Sequence, residues 1–334
     1  MKDQFNRKIN YLRVSVTDRC NLRCVYCMPE EGVACVPHSE ILTFDEIERI
    51  CRISVQLGIS RIKLTGGEPL VRRGLPDLLG MLKRISGIEQ VTLTTNGILL
   101  DGQINKLVSK GLDGVNISID TLNPERYREL TRGGCLAAAL KGLDASLEHS
   151  GLRVKVNCVP CVQDEEEYLG LALLAKDRPV EVRFIEMMPI GMGKDFTGWK
   201  QDDILKVLES AFGPSQKYTQ QLGNGPAVYV QFPGFCGRIG FISAVSHQFC
   251  SECNRVRLTS EGYLKPCLQY ECGVDLKKLL RGGAGDKEIR EAMRKSIFEK
   301  PAHHHFREMD KLKGDTSDDP GQSDETKGMS RIGG

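Results

Sequence analysis

The sequence predicts an α/β protein: a partial (incomplete) TIM-type barrel of six strand–helix units, (β/α)6, open on one side. Three observations carry that reading. Short β-branched runs alternate with helical stretches from Tyr11 to Glu186. The intervening helical stretches are long enough to return each strand parallel to the one before it. One face of several strands is polar, whereas strands buried on both sides of an open parallel sheet read as nearly continuous apolar runs.

The elements follow in order. The first strand is YLRVSVT (11–17), and a helix is expected over 43–57, its start marked by the capping-box pattern Thr43-Phe44-Asp45-Glu46. RIKLT (61–65) and a helix over 74–85 make the second unit, VTLTT (91–95) and a helix over 101–111 the third. GVNISID (114–120) leads into one long helical stretch over 124–149, and RVKVNCV (153–159) into another over 164–176. VEVRFIE (180–186) closes the series. Alternation of Val and Ile with period 2 marks these as strands. Their other face carries Arg13, Ser15, Lys63, Thr65, Thr94, Asn116, Ser118, Lys155, Asn157 and Arg183. A polar inner face suits a barrel whose interior is a binding cavity. Six strands fall short of the usual eight-strand closure, and no GxGxxG follows the first strand to support dinucleotide binding.

The rest of the chain bounds the function classes. Lys+Arg of 46 against Asp+Glu of 44 gives a formal +2, which argues against nucleic-acid coating or membrane adhesion. No apolar run approaches the ~18 residues of a membrane helix, and MKDQFNRKIN lacks a signal-peptide core, so a cytoplasmic protein is expected. A division into a core barrel over 5–220, a C-terminal region over 221–310 and a mobile tail over 311–334 follows from the change in texture. The Gly/Pro-punctuated, β-like run 223–245 opens the second part, and a short helix is expected near 275–281. The polar stretch from about Asp310 and the closing Arg331-Ile332-Gly333-Gly334 show no core-forming capacity. His303–His305 reads as a solvated stretch.

Thirteen cysteines in a reducing compartment point to metal or catalysis rather than disulfides. Cys51 and Cys158 sit in apolar runs and read as small buried hydrophobes. Cys20, Cys24 and Cys27 form C-x3-C-x2-C just past the first strand, where barrel enzymes place their chemistry. A structural zinc site wants four protein ligands, and none follows closely. A cubane iron–sulfur cluster held by three thiolates leaves one iron open. Cys250, Cys253 and Cys267 form a second group. With Cys272 or His247 as a fourth ligand, that group would also make a zinc site.

C-x3-C-x2-C with Tyr26 before its third cysteine, followed one strand later by Thr65-Gly66-Gly67-Glu68-Pro69, resembles the radical S-adenosylmethionine enzymes. FCSECNRVRLTSEGYLKPCL (249–268) is similar to the second-cluster region of that family's GTP-cyclising members, which serve molybdenum-cofactor biosynthesis. The resemblance runs from Tyr11 to the final Gly-Gly. It implies a C-terminal iron–sulfur extension on the barrel and two [4Fe-4S] clusters, one on Cys20, Cys24 and Cys27 and one on Cys250, Cys253 and Cys267. The first binds S-adenosyl-L-methionine at its open iron, and an electron then yields the 5′-deoxyadenosyl radical. The second binds the guanine of GTP. Tyr26, Gly67, Ser118 and Met188 are expected to hold the adenosylmethionine. Arg13, Lys63, Thr94, Lys155, Arg183, Arg255 and Arg257 are expected to hold GTP, with Arg183 also counted as catalytic. Arg suits a triphosphate because its planar fork matches phosphate oxygens. The family more usually has Arg where Lys63 stands, with Lys common at the position of Arg61.

The implied reaction is that of a lyase: abstraction of H3′ from GTP and closure of C3′ onto guanine C8. Implied partners are GTP, an external one-electron reductant, cyclic pyranopterin monophosphate synthase as consumer of the product, and a second copy in a homodimer. No nucleic acid and no membrane are expected. A peptide-modifying radical enzyme and a non-catalytic iron–sulfur carrier or zinc scaffold are the competing readings.

Overall fold

The computed structural model describes residues 1–220, 222–306, 325 and 328–332. Most of the tail expected at 311–334, including Gly333 and Gly334, lies outside the described residues.

The six expected units are present: β1 (Tyr11–Ser15), α1 (Phe44–Gln56), β2 (Arg61–Thr65), α2 (Leu75–Lys83), β3 (Gln90–Thr95), α3 (Ile104–Ser109) and β4 (Gly114–Ser118) open the series. They are followed by α4 (Pro124–Thr131), α5 (Leu136–Leu147), β5 (Arg153–Cys158), α6 (Glu165–Asp177) and β6 (Glu181–Ile185). α1 begins as its sequence predicts: the Thr43 hydroxyl accepts from Glu46 N at 3.1 Å and the Glu46 carboxylate from Thr43 N at 2.7 Å. The single helix expected over 124–149 is instead two. Arg132 takes a left-handed φ of 52° at the end of α4, and Gly133 and Gly134 complete the break.

Beyond β6 come α7 (Gln201–Phe212), β7 (Gln216–Tyr218), β8 (Val228–Gln231), β9 (Arg238–Ile242) and β10 (Arg255–Leu258). The chain continues through β11 (Tyr263–Lys265), β12 (Val274–Asp275), α8 (Leu276–Arg281), α9 (Asp286–Phe298) and α10 (Met329–Ile332). These C-terminal strands extend the same sheet, whose order is β12-β11-β10-β1-β2-β3-β4-β5-β6-β9-β8-β7. β10 runs parallel to β1, and β9 parallel to β6. The chain thus reaches eight parallel strands, but each flank continues into antiparallel strands instead of meeting the other.

The apolar positions of the strands face the helices. Leu12, Val14, Ile62, Leu64, Val115, Ile117 and Val182 are fully buried in one core with Ile47, Ile50, Leu78, Leu107 and Leu171. A small second cluster joins Ile190, Phe306 and Ile332. Ile332 corrects the expectation that residues 331–334 bring nothing to a core: it is completely buried because α10 lies over the loop after β6.

Gly237, just before β9, packs so tightly that a Cβ would run into the Val180 carbonyl oxygen preceding β6. Gly237→Ala is therefore expected to destabilise the fold by about 1–3 kcal/mol, the usual range for overpacking. Urea unfolding measures it, and an unchanged midpoint would contradict this packing.

Candidate active site

Ladder register turns the polar face into ordered rows. Arg13 pairs in register with Lys63 on one side and Arg257 on the other. Thr94 sits opposite Asn116, and Asn116 opposite Lys155. Asn157 is opposite Arg183, which faces Gly240 on β9. Gly240 makes room for that arginine, since a Cβ there would lie 3.0 Å from Arg183 Cγ and 2.7 Å from the Tyr229 ring. Arg13, Lys63, Thr94, Asn116, Lys155, Asn157, Arg183 and Arg257 all line one cavity of about 370 Å³.

The first cysteine loop closes one mouth of it. Thr17–Arg19 pack on the loop after β2, where Gly67 N donates to Thr17 O and Glu68 N to Arg19 O, both at 2.8 Å. A Cβ on Gly66 would stand 2.7 Å from Thr17 O, and one on Gly67 would overlap Arg19 O. The paired glycines are thus required by chain meeting chain as well as by access to the cavity. The break after α4 serves the same loop: Arg23 N and Val25 N donate to Thr131 O and Leu130 O at 3.1 and 2.9 Å. Tyr26 donates its hydroxyl to Asp120 Oδ2 at 2.6 Å, and Val159 N donates to Asp120 Oδ1 at 2.8 Å.

The second cysteine group closes the opposite mouth. Cys253 stands two residues before β10, which is parallel to β1, whereas Cys20 follows β1. Cys267 follows β11, which is antiparallel to β10, and so returns to the same end as Cys253. A five-residue strand rises roughly 16 Å at 3.3 Å per residue, so the cations of the strands lie between the two thiol groups.

Every residue expected at the site lines this cavity. Cys20, Cys24, Cys27, Tyr26, Gly67, Ser118 and Met188 lie toward the first mouth. Arg13, Lys63, Thr94, Lys155, Arg183 and Arg257 come from the strands, and Arg255 stands with Cys250, Cys253 and Cys267 toward the second. Cys272 and His247, the alternative fourth ligands, are not among the described lining residues. Lys63 is the inward cation of β2, and Arg61 pairs with Glu89 at 3.7 Å outside the cavity.

Electrostatics inside are one-sided. Burial, then Arg183, Arg13 and Lys155, push the Lys63 ammonium well below its ordinary pKa. Burial and Arg183 lower Lys155 to about 8 against the pull of Glu181, which lies 3.3 Å away. Arg183 Nε donates to Asn157 Oδ1 at 2.9 Å. With its amide oxygen turned toward the cations, Asn116 accepts from Arg183 Nη2 at 2.8 Å and from Lys63. Burial also raises the Cys20 and Cys24 thiols. At Cys253 burial is outweighed by Arg255 and Lys300, which hold the thiol at about 6.

Several lining residues escaped the sequence reading. Asp120 closes the strand read as GVNISID and Glu68 belongs to the Thr65–Pro69 motif, yet neither has a role of its own in that reading, and the loop 222–226 is a featureless Gly-rich stretch. His304 corrects the expectation of a solvated run, being buried and cavity-lining because the 300–306 segment is tied down on both sides. The basic signal at Arg7 and Lys300 lay outside any strand pattern.

The open barrel and its three-cysteine loop define a radical S-adenosylmethionine enzyme. Residues 14–172 match the Radical SAM superfamily, and residues 180–306 match Molybdenum Cofactor Synthesis C. Among solved structures, Streptococcus suis SuiB bound to precursor peptide SuiA aligns with a TM-score of 0.61 at 16% identity. That alignment covers 90% of this chain and 67% of SuiB, and it shows the shared fold. A GTP 3′,8-cyclase from Clostridium perfringens (strain 13) is 45% identical over 314 residues, 93% of this chain and 96% of that protein. One from Heliobacterium modesticaldum is 44% identical over 339 residues and spans 100% of both chains. The chain belongs to the GTP 3′,8-cyclase family.

The residues present fit the family's cofactors. Cys20 and Cys27 each raise the Cys24 thiol, and Cys253 and Cys267 each raise Cys250, so each set is close enough to interact. Soft thiolates are the donor set that iron–sulfur clusters take.

Glu68 supplies a pH-dependent prediction. Burial raises its carboxyl to about 7, against hydrogen bonds from Asn96 N, Leu70 N and Thr95 Oγ1 at 2.7, 3.0 and 2.7 Å. Between the ordinary value of 4.5 and about 7 the unfolded chain releases this proton while the folded chain keeps it. Its contribution to stability therefore falls as pH rises through that window and is level above it. Urea midpoints of the iron-free chain from about pH 5 to about 8 should show this component in the parent and not in Glu68→Gln. Parallel profiles would contradict it.

Proposed function

We propose that this chain is a GTP 3′,8-cyclase, converting GTP to (8S)-3′,8-cyclo-7,8-dihydroguanosine 5′-triphosphate in molybdenum-cofactor biosynthesis. One observation carries the reading: two three-thiol groups face each other across a single cavity whose walls between them are cationic. Such a cavity suits a polyanion with one reactive group presented to each mouth.

Cys20, Cys24 and Cys27 hold the first [4Fe-4S] cluster, and Cys250, Cys253 and Cys267 the second. When bound, the first cluster with S-adenosylmethionine supplies the 5′-deoxyadenosyl radical, and the second receives the guanine. Tyr26, Gly67, Ser118 and Met188 surround the adenosylmethionine. Arg13, Lys63, Lys155, Arg183 and Arg257 neutralise the triphosphate, and Thr94 adds a polar contact. Arg255, stacked 5.0 Å from the Phe249 ring centroid, steers the base end beside Cys253. Arg183, fixed by Asn157, orients the ribose so that C3′ faces the first mouth. Holding the reacting carbon in place and excluding water are what the barrel contributes.

The reaction needs an external one-electron donor and passes its product to cyclic pyranopterin monophosphate synthase, with the chain working as a homodimer. No helix among the described residues is long and apolar enough to cross a membrane.

Anaerobic reconstitution followed by GTP, S-adenosylmethionine and dithionite is expected to give 5′-deoxyadenosine and the cyclised nucleotide. No cyclised nucleotide, and no rise in deoxyadenosine when GTP is added, would overturn the assignment. Arg255→Ala is expected to weaken GTP binding roughly tenfold or more, the loss of a charged contact worth about 1.5–3 kcal/mol. Uncoupled adenosylmethionine cleavage should persist. Unchanged GTP affinity by equilibrium dialysis would remove Arg255 from the substrate site.

A further inference from the structure

Residues 3–7 meet the segment after α9 beside the second cysteine group. A tight turn, with Asn6 at φ 62°, folds Asp3 onto Arg7. Asp3 Oδ1 accepts from Arg7 N at 2.9 Å and from Phe5 N at 3.0 Å. The Arg7 guanidinium is buried, and each of its five N–H groups has an acceptor. Nε donates to Asp3 Oδ2 at 2.6 Å. Nη1 donates to Cys250 O and Ala302 O, both at 2.9 Å. Nη2 donates to Lys300 O at 3.2 Å and Pro301 O at 2.6 Å. Only arginine offers five donors in one plane. Lys300 is also buried, and its Nζ donates to Arg255 O at 3.0 Å and to Pro266 O.

These acceptors share a feature. Cys250 O belongs to the first cysteine of the group, Arg255 O lies two residues past the second, and Pro266 O immediately precedes the third. The three cysteine-bearing segments have little regular structure of their own, a single 3-10 turn at Cys250–Glu252 and the strand ends. Fastening them through backbone carbonyls leaves all three thiols free for ligation.

We propose that Arg7 and Lys300 are positioning residues for the second thiol group, clamping its three loops together and setting positive charge beside whatever the thiolates hold. The inference rests on the reading that Cys250, Cys253 and Cys267 ligate the second cluster. The clamp joins the N-terminal turn to the segment that follows α9, so the site is complete only when residues 3–7 have docked on 298–302; Gln4 N→Phe298 O at 3.1 Å and Gln4 Nε2→Lys300 O at 3.3 Å join the same contact. Charge near an iron–sulfur cluster tunes its potential. Removing a cation makes adding an electron harder, so the potential becomes more negative.

The test uses Arg7→Gln, Arg7→Lys, Lys300→Met and a Cys250/Cys253/Cys267 triple alanine control in the full-length chain. In the iron-free protein, alkylation by iodoacetamide read by peptide mass should speed severalfold at Cys250, Cys253 and Cys267 in Arg7→Gln. It should stay unchanged at Cys20, Cys24 and Cys27. In the reconstituted protein, potentiometric spectroscopy should show the second cluster lost or shifted negative, with the first cluster unmoved. Arg7→Lys should restore the potential in part and the alkylation pattern less, because a lysine replaces the charge but not the planar set of donors. Lys300→Met carries the potentiometric test where Arg7→Gln does not fold, since losing this cation also raises the Cys253 thiol and so offsets faster alkylation. Full iron content in the triple variant overturns the ligand reading itself. Loss of the second cluster in that control, with parental potential in both Arg7→Gln and Lys300→Met and parental alkylation in Arg7→Gln, leaves the ligand reading standing and overturns the clamp.

Discussion

Positive charge gathered inside a barrel is the constraint on which the rest of this structure depends. Arg13, Lys63, Lys155, Arg183 and Arg257 are all drawn onto the inner face of parallel strands, and burial disfavours the charged forms of Arg13, Lys63, Lys155 and Arg257. Glu181 is one carboxylate within ion-pair distance, at Lys155. Neutral amides do much of the remaining work, with Asn116 and Asn157 set among the cations. Such an arrangement is costly in the empty protein and favours an anionic occupant. The formal +2 of the whole chain gives no sign of it, because that figure sums every charge without regard to position.

That constraint explains the architecture around it. A closed eight-stranded barrel packs its interior with layers of side chains. Here the eight parallel strands stay open between β9 and β10, and antiparallel strands continue each flank, so the interior remains a cavity. Parallel strands also give the cavity two chemically different ends. The C-terminal ends of β1 and β2 carry the first cysteine loop and the paired glycines. The N-terminal end of β10 carries Cys253 and Arg255.

Much of the fold was legible because it is local. The capping box of α1, the period-2 strands and the register-bearing polar face all depend on neighbours within a few residues. The break between α4 and α5 was not legible: a helical pattern spans it, and its purpose, offering Leu130 and Thr131 carbonyls to the cysteine loop, is a contact between distant segments. α7 and α9 were likewise passed over, since their boundaries lie in stretches read for texture rather than periodicity. The burial of Ile332 and His304 depends on segments far away in the chain.

The sequence by itself determined the chemistry: three thiols in eight residues, a second three-thiol group, and cations at alternate positions of strands. Ligand type and spacing are properties of the chain, so no structure was needed to read them. Only the tertiary structure decided where they stand relative to one another. It set the two thiol groups at opposite mouths of one cavity, placed Lys63 in the cavity wall while Arg61, on the same strand face, pairs with Glu89 at the strand's start, and brought Arg7 and Lys300 onto the carbonyls beside the second group. The physical reason is that a strand's direction, and which end of it a loop occupies, are fixed by its neighbours in the sheet. Those neighbours come from residues hundreds of positions apart: β10, from residues 255–258, lies beside β1, from residues 11–15.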